Sequence, residues 1–442
     1  MPRILWSLIL LLCGVCSLPV QAQTREQKVR NDKEKVEAEG YWIYNDLPRA
    51  FAAAKQSGRP MIVVLRCLPC EECVKLDDEI IDGSERLKPL LDQFVRVRVV
   101  STNGLDLSLF QFDTDQSFAV FLLNGDGTIY GRFGTRSHRT QWIGDVSLEG
   151  LAKAMEGALE LHRLPVNQRK GLADKRGPRP PFDRPEQYAG FAGRYRSSLD
   201  YEGKVVQSCI HCHQIGDAIR ELAVKDRGSL SDTVLFPFPN PKVIGLKLNA
   251  EERATVLSVE PDSAAAKSGL KKGDAIRSLN GQPLLSIADL QWVLHRADPA
   301  GTVLRADVVR EGNTVLIEIQ LAAGWRTRDE ISWRASTWQF RRIALGGMLL
   351  VKLDDEEREK LQRLEDRMAL KVEHVGQYAP HDFANRSGFR KGDIVLSFND
   401  NDRLLRETDL IVYSLRQLKP GSKVPVEILR NGAKQTLQLQ LP

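Results

Sequence analysis

Hydrophobic and polar positions along the chain fall into segments with different periods. Residues 61–65 form a continuous apolar run, which is typical of a strand buried on both faces. Apolar positions at helical spacing predict amphipathic helices at 47–55 and 148–161. Strands that alternate with helices predict a mixed α/β sheet with helices on both faces. The remaining predicted elements are helices at 74–81 and 87–94 and strands at 95–100, 119–123 and 128–133.

The C-terminal part of the chain contains an internal repeat. Residues 268–276 (SGLKKGDAI) match residues 387–395 (SGFRKGDIV). Downstream of each copy, residues 301–321 and 421–441 have the pattern of a strand, a turn that contains Arg and Gly, and a second strand. Two copies of one β-rich fold therefore follow the α/β region. A charged helix is predicted between them at 354–367.

The N-terminus predicts export. Arg3 precedes an apolar run, and residues 20–22 (VQA) have the pattern of a cleavage site, so we predict a signal peptide at 1–22. The alternative is a retained anchor, but the run is short for a spanning helix. No later segment is apolar enough to cross a bilayer, so we expect no membrane span after cleavage. The expected location is periplasmic or secreted.

Composition excludes few functions. A hydrophobic content of 42% and a charged content of 27% are typical of a globular protein, and 442 residues exceed one ordinary core. The net charge of +5 is weak support for a nucleic-acid partner, and export argues further against one. Residues 166–190 are basic and rich in proline, which favours an extended linker over a nucleic-acid patch.

Three cysteines follow the strand predicted at 61–65. A Cys-x-x-Cys motif between a strand and a helix is typical of redox chemistry, because the helix N-terminus stabilises a thiolate. Two frames compete, Cys67 with Cys70 and Cys70 with Cys73. We favour Cys70 as the nucleophile and Cys73 as the resolving thiol, with Cys67 able to exchange with either. The alternative is a stable disulfide with one spare thiol.

A second cysteine cluster has the pattern Cys-x-x-Cys-His. Cys209 and Cys212 are spaced to add to the two vinyl groups of a haem, and His213 is placed to bind the haem iron. We therefore predict c-type haem, with a disulfide or a zinc site as alternatives. Met348 and Met368 are candidate distal ligands, although an isolated methionine is more often part of a core.

Residues 40–165 resemble the thioredoxin-like domains of exported bacterial proteins. The likeness lies in the order helix, Gly-x-Pro, apolar strand, cysteine motif and helix. It implies redox-active cysteines. Thioredoxins carry a cis-proline before the strand that faces these cysteines, whereas residues 115–119 of this chain (DQSFA) contain no proline. This departure argues against ordinary thioredoxin substrates and leaves metal capture or a narrow dedicated partner open.

The repeated units resemble PDZ domains, the first over 240–322 and the second over 343–442. The resemblance implies that each adds an extended peptide as an extra strand and holds its terminal carboxylate with main-chain N–H groups. We therefore expect protein or peptide ligands. The residues expected in the two carboxylate-binding loops are Ile244, Gly245 and Leu246 in the first copy and Gly347 and Met348 in the second.

The order of these parts resembles a bacterial family of thioredoxin-like/PDZ (seleno)proteins. That resemblance implies an exported thiol–disulfide or electron-transfer protein, with an unidentified redox partner, that docks proteins through its PDZ modules. The alternative is a non-catalytic PDZ scaffold with structural cysteines. No Gly-x-Ser-Gly-like nucleophile segment occurs, which disfavours a serine protease. The predicted bounds are 1–22 for the signal peptide, 40–165 for the thioredoxin-like domain, 166–190 for the linker, 191–235 for the haem-attachment segment, and 240–322 and 343–442 for the PDZ modules.

Overall fold

The computed structural model describes residues 24–66, 68, 85–116, 118–136, 144–225 and 230–442. The predicted signal peptide at 1–22 and the predicted helix at 74–81 lie outside the described residues, as do Cys67, Cys70 and Cys73. Within the described ranges, no helix has the length and apolar character that crossing a membrane requires.

The N-terminal unit is built on a mixed sheet. Its strands are β1 (Ile43–Tyr44), β2 (Met61–Arg66), β3 (Val95–Val99), β4 (Phe118–Leu123) and β5 (Ile129–Phe133). Across the sheet they lie in the order β1–β3–β2–β4–β5. The central strand β2 runs parallel to β3 and antiparallel to β4, and all its residues are buried. The mixed α/β sheet expected from the hydrophobic pattern is confirmed.

Helices cover both faces of this sheet. They are α1 (Arg25–Glu39), α2 (Leu47–Ser57), α3 (Lys88–Leu91) and α4 (Leu148–Arg163). Residues of α1 and α4 pack with Ile62 and Val64 on one face, and those of α2 pack with Val63 on the other. α2 begins where the Asp46 carboxylate accepts a hydrogen bond from the Arg49 N–H. The helix expected at 87–94 is shorter than predicted.

Two β-rich modules follow, each with its own hydrophobic core. The first module contains a two-stranded sheet, β6–β7, and a four-stranded sheet in the order β11–β10–β8–β9. Its elements are β6 (Leu246–Leu248), β7 (Val256–Val259), α7 (Ala264–Lys267), β8 (Ala275–Leu279), β9 (Gln282–Pro283), α8 (Ile287–Arg296), β10 (Thr302–Arg310) and β11 (Asn313–Leu321).

The second module forms one five-stranded sheet in sequential order, so β12 and β16 are its edges. The charged helix predicted at 354–367 ends earlier, at Lys360. The elements are α9 (Thr337–Leu345), β12 (Met348–Lys352), α10 (Asp355–Lys360), β13 (Leu370–Val375), α11 (Phe383–Arg386), β14 (Ile394–Phe398), α12 (Glu407–Gln417), β15 (Lys423–Arg430) and β16 (Ala433–Gln440).

The repeated sequence signature has the same structural role in both modules. Asp274 follows the Lys-Gly pair of the first copy and accepts two hydrogen bonds of 2.7 Å from the Arg310 guanidinium at the end of β10. Asp393 accepts hydrogen bonds of 2.6 and 2.7 Å from Arg430 in the second copy. Each pair fixes a turn to the strand that precedes the Arg and Gly turn, because a paired planar guanidinium holds a carboxylate in one orientation.

The basic segment expected to be an extended linker is packed between the N-terminal unit and the first module. Its Lys175 is buried and lies 2.8 Å from the Asp289 carboxylate of α8. The indole N–H of Trp292 donates to the carbonyl of Asp174. Two further helices, α5 (Cys212–Lys225) and α6 (Asp232–Leu235), precede the first module. The N-terminal unit and the first module are therefore docked on each other.

Candidate functional site

The loop that leads into β6 has a conformation that requires glycine. Gly245 has φ of +80°, and a Cβ atom there would lie 2.1 Å from Cβ of Ser263. Its N–H donates to the carbonyl of Lys242, and its carbonyl accepts from the N–H of Glu260, which follows β7. Ile244, which precedes it, is buried. The loop is therefore rigid where it enters the strand.

β6 has an open edge. Among the described residues it pairs with β7 and with no other strand. In an antiparallel pair, the main-chain groups of successive residues point to alternate sides. Since the Gly245 carbonyl bonds toward β7, the N–H and C=O of Leu246 point to the opposite edge. Lys247, next in the strand, has an exposed side chain. An extended peptide can add to β6 along this edge.

The helix of the first module, α8, is covered by the N-terminal unit. Its residues from Ile287 to Leu294 are at most 9% exposed. The Asp289 carboxylate accepts a hydrogen bond of 3.1 Å from the Arg132 N–H of β5, besides its ion pair with Lys175. The helix is therefore held in place and has little accessible side-chain surface.

The corresponding edge of the second module is closed. Leu350 of β12 donates its N–H to the Glu407 carboxylate at 2.8 Å. The Arg341 guanidinium of α9 donates to both oxygens of that carboxylate, at 2.9 and 2.6 Å. A peptide strand would lie about 4.8 Å from β12, and Glu407 takes that place. Gly347 lies at the start of this edge, with φ of +90° and no room for a Cβ atom, which would be 1.9 Å from the His381 carbonyl oxygen.

Cys209 and Cys212 are buried beside the sheet of the N-terminal unit. Their exposed fractions are 6% and 5%. The N–H of Ile210, between them, donates to the Asn103 side chain, and its carbonyl accepts from the Thr102 N–H. Burial raises the pKa of the Cys209 thiol, which reduces its thiolate fraction and its nucleophilicity.

The surroundings of these thiols do not fit a haem. Ile210 and Cys212 belong to the packed apolar cluster of the sheet, which a porphyrin would have to displace. Met348 and Met368, the candidate distal ligands, lie instead in the core of the second module. His213 lies 3.6 Å from the Asp217 carboxylate. Among the residues that the structure describes, no three His, Cys, Asp or Glu side chains are grouped to hold a metal ion.

A buried ion cluster joins the second module to the N-terminal unit. Arg334 donates to both oxygens of Asp113 at 2.7 Å, and the Ser336 hydroxyl donates to Asp115 at 2.7 Å. Arg220 of α5 pairs with Asp115 at 3.5 Å. Asp115 opens the proline-free segment noted in the sequence. The segment before β4 is therefore occupied by contacts within the chain.

Comparison with protein families assigns the parts of the chain. A thioredoxin-like family model matches residues 42–125, and a PDZ domain model matches residues 242–321 and 347–441. The chain contains a thioredoxin-like domain and two PDZ domains. The first and second modules are the PDZ domains, and strands β1 to β4 of the N-terminal unit lie within the thioredoxin-like match.

Several curated proteins that match part of the chain are named as periplasmic proteases. The periplasmic serine endoprotease DegP of Salmonella typhimurium is 27% identical over 154 residues, which cover 35% of this chain and 28% of that protein. DegP of Escherichia coli K12 is 40% identical over 76 residues, covering 17% and 16%, and its pH-dependent serine endoprotease DegQ is 29% identical over 152 residues, covering 34% and 29%. The chain spans under a third of the length of these relatives.

A solved structure also resembles part of the chain. It is titled "HtrA-type protease AlgW with decapeptide", is 20% identical, and covers 31% of this chain and 48% of its own, with a TM-score of 0.18. At that score the likeness supports no further conclusion.

These comparisons correct two predictions and confirm one. The relatives named above are serine endoproteases rather than redox or haem proteins, which contradicts the predicted thiol–disulfide or electron-transfer function. They also contradict the prediction of haem c on Cys209, Cys212 and His213, and the buried, packed thiols give the physical reason. The periplasmic relatives confirm the expected periplasmic or exported location.

Sequence reasoning missed the residue that closes the second PDZ domain. Aligning the helices of the two repeats by their Asp-Leu pairs, at 289–290 and 409–410, places Glu407 where the first copy has Ile287. A carboxylate at an apolar position of a repeat is a signal that this copy differs in its groove. The contribution of Arg341 had no such signal, because α9 precedes the repeated region.

Proposed function

We propose that this periplasmic or exported protein binds extended peptide segments through its first PDZ domain. The observation that carries the proposal is the open edge of β6, which directly follows the glycine loop at Gly245. The N–H and C=O of Leu246 point to that edge and pair with no strand of the described residues. Ile244, Gly245 and Leu246 are the proposed binding residues, and a C-terminal carboxylate is the proposed end group.

The burial of α8 limits what such a site can select. In peptide recognition by strand addition, main-chain hydrogen bonds provide affinity and side-chain pockets provide specificity. Because α8 has little accessible side-chain surface, recognition at β6 depends mainly on the peptide backbone. We therefore expect the affinity to depend weakly on the peptide's sequence and strongly on whether its backbone is extended and unblocked.

The second PDZ domain has a different part in this proposal. Glu407 already accepts the hydrogen bond of Leu350 that a peptide carbonyl would accept. Its loop residues Gly347 and Met348 bind a peptide only when this carboxylate is displaced. The thioredoxin-like domain serves as structural support, because its strand β5 fixes the helix of the first PDZ domain through Asp289.

Fluorescence anisotropy with labelled C-terminal peptides tests the proposal. Lys247→Ala removes an exposed side chain from β6 but keeps the main chain, so affinity should stay within about twofold of wild type. Leu246→Pro removes the N–H at the open edge, so affinity should fall at least about tenfold. Circular dichroism and thermal unfolding establish that each variant is folded.

A modified ligand gives the same test on the wild-type protein. N-methylation of the peptide amide that faces β6 should abolish binding, whereas N-methylation of the next amide should not, because adjacent amides point to opposite sides. Equal binding of both methylated peptides would overturn the proposal. So would the absence of binding by any peptide with a free C-terminus.

A further inference from the structure

A cavity of about 680 Å³ lies on the side of α12 that faces away from β12. Its volume is within the range of about 300–1,000 Å³ that is usual for ligand pockets. Val412 and Tyr413 of α12 form its apolar wall together with Phe236. Asp409, Val412, Tyr413 and Arg416 follow helical spacing and lie on one face of the helix, and Glu407 closes the PDZ groove at its start.

Three distant segments of the chain meet at this cavity. Arg328 belongs to the connection between the PDZ domains, and Phe236 precedes the first of them. Arg416 of α12 forms an ion pair with Asp232 of α6, which holds the segment of Phe236 against α12. The cavity therefore forms only when the segment before the first PDZ domain and the connection between the PDZ domains are packed against α12.

The lining is strongly cationic. Asp409 is the one carboxylate among the described residues that line the cavity. Four guanidinium groups line it, those of Arg328, Arg403, Arg406 and Arg416.

These arginines differ in how firmly they are held. Arg406 donates to Asp409 at 2.6 Å and to the carbonyl of Thr327 at 2.9 Å, so it is part of the framework. Arg403 pairs with Asp366 at a well-exposed position, where ion pairs contribute little. Arg328 is exposed and has no side-chain partner among the described residues. Arg328 and Arg403 are therefore the guanidinium groups available to a ligand.

We infer that this cavity binds an acidic peptide segment that carries an apolar side chain between its carboxylates. Guanidinium groups match carboxylates with paired hydrogen bonds, which favours Asp and Glu side chains at Arg328 and Arg403. The apolar wall formed by Val412 and Tyr413 favours a peptide over a simple anion. This site is distinct from the β6 edge and does not depend on it.

The probe is a fluorescein-labelled, N-acetylated and C-amidated peptide of alternating glutamate and phenylalanine. Blocking the C-terminus removes the carboxylate that the β6 edge is proposed to bind. The full chain should bind this probe, and raising the ionic strength should weaken binding. The same peptide with glutamine in place of glutamate should bind at least about tenfold more weakly. Equal binding of the two peptides would overturn the inference.

Matched variants locate the site. Arg328→Gln should weaken binding about three- to tenfold, whereas Arg390→Gln, at another exposed arginine of the second PDZ domain, should leave binding unchanged. Val412→Glu should abolish binding by placing a carboxylate on the apolar wall. Because Val412 is half-buried, thermal unfolding checks that the Val412→Glu variant is folded. If it is not folded, the result for Arg328→Gln alone locates the site.

Three results would contradict the inference. Equal losses for Arg328→Gln and Arg390→Gln would indicate unspecific attraction to a basic surface. Competition by inorganic phosphate as strong as that by the unlabelled peptide would indicate a simple anion site. The third result is that the protein binds vesicles of anionic lipid, loses this binding in Arg328→Gln, and binds no peptide. It would assign the cavity to membranes instead.

Discussion

Asp329 is a buried carboxyl group with incomplete hydrogen bonding. It lies in the connection between the two PDZ domains, and Oδ2 has no hydrogen-bond partner among the described residues. Burial raises its pKa to about 7, against the opposing effect of Arg334. Since the folded state holds the proton more tightly than the unfolded state, this group stabilises the fold below about pH 4, and that contribution is lost as the pH rises through 7.

Asp329→Asn should therefore change the pH dependence of stability. The variant keeps an uncharged polar group, so the free energy of unfolding should match wild type near pH 4 and exceed it by about 1–4 kcal/mol at pH 8. Urea unfolding at both pH values measures the difference. His295, whose pKa burial lowers to about 3, titrates in the opposite sense but is present in both proteins. A difference that does not grow with pH would refute the ionisation of Asp329.

At the scale of single residues, sequence gave the motif but not the environment. The spacing of Cys209, Cys212 and His213 is that of haem attachment, yet spacing carries no information on burial. The two cysteines are buried, and the main chain of Ile210 between them is held by Thr102 and Asn103, which lie more than a hundred residues earlier in the chain. The haem prediction was wrong because the motif was interpreted without these neighbours.

At the scale of elements, the paired edges β6 and β12 differ in one hydrogen bond. The hydrophobic pattern and the repeat predicted both modules, because each core follows local strand and helix periods. The closure of β12 depends on Glu407 and Arg341, which are 66 residues apart. Long-range side-chain pairs of this kind leave no periodic pattern, so the sequence predicted a peptide-binding loop in both modules.

A double-mutant cycle on Arg341 and Glu407 tests the closure. Arg341→Leu leaves a buried carboxylate without its partner and should lower the free energy of unfolding by about 3–5 kcal/mol. Adding Glu407→Leu removes that charge, so the double variant should recover at least about 2 kcal/mol of the loss. Urea unfolding at neutral pH provides both values. Strictly additive losses would contradict the account of a coupled latch on β12.

At the scale of the whole molecule, docking depends on buried charges from three parts of the chain. Arg334 pairs with Asp113 and Asp115 of the thioredoxin-like domain, and these charges raise its pKa although burial opposes them. The sequence indicated separate modules joined by a linker at 166–190, because the polar and basic residues of that segment have no hydrophobic period. Lys175 and Arg334 are buried because they pair with Asp289 and Asp113, which are distant in the sequence. The sequence alone does not show these pairs.

Arg334→Ala should loosen the second PDZ domain from the rest of the protein. Removing the guanidinium leaves the buried Asp113 carboxylate without its cationic partner, while Asp115 keeps Arg220, and the expected cost is about 3–5 kcal/mol. We expect a lower melting temperature, a larger radius of gyration by small-angle scattering, and faster proteolysis between the PDZ domains. Arg305→Ala, at the exposed pair with Glu318, is the control and should change stability by less than about 1 kcal/mol. Equal effects of both substitutions would show that the buried cluster does not hold the domains together.

Hydrogen exchange at β6 tests the central claim, peptide binding at the open edge of the first PDZ domain, most directly. The amide of Leu246 should exchange faster in the free protein than in the presence of a peptide with a free C-terminus. The amide of Leu350, bonded to Glu407, should be protected in both states. Protection of Leu246 by the free peptide but not by its C-amidated form is the predicted result. Unchanged exchange at Leu246 under saturating peptide, or protection confined to β12, would contradict the account.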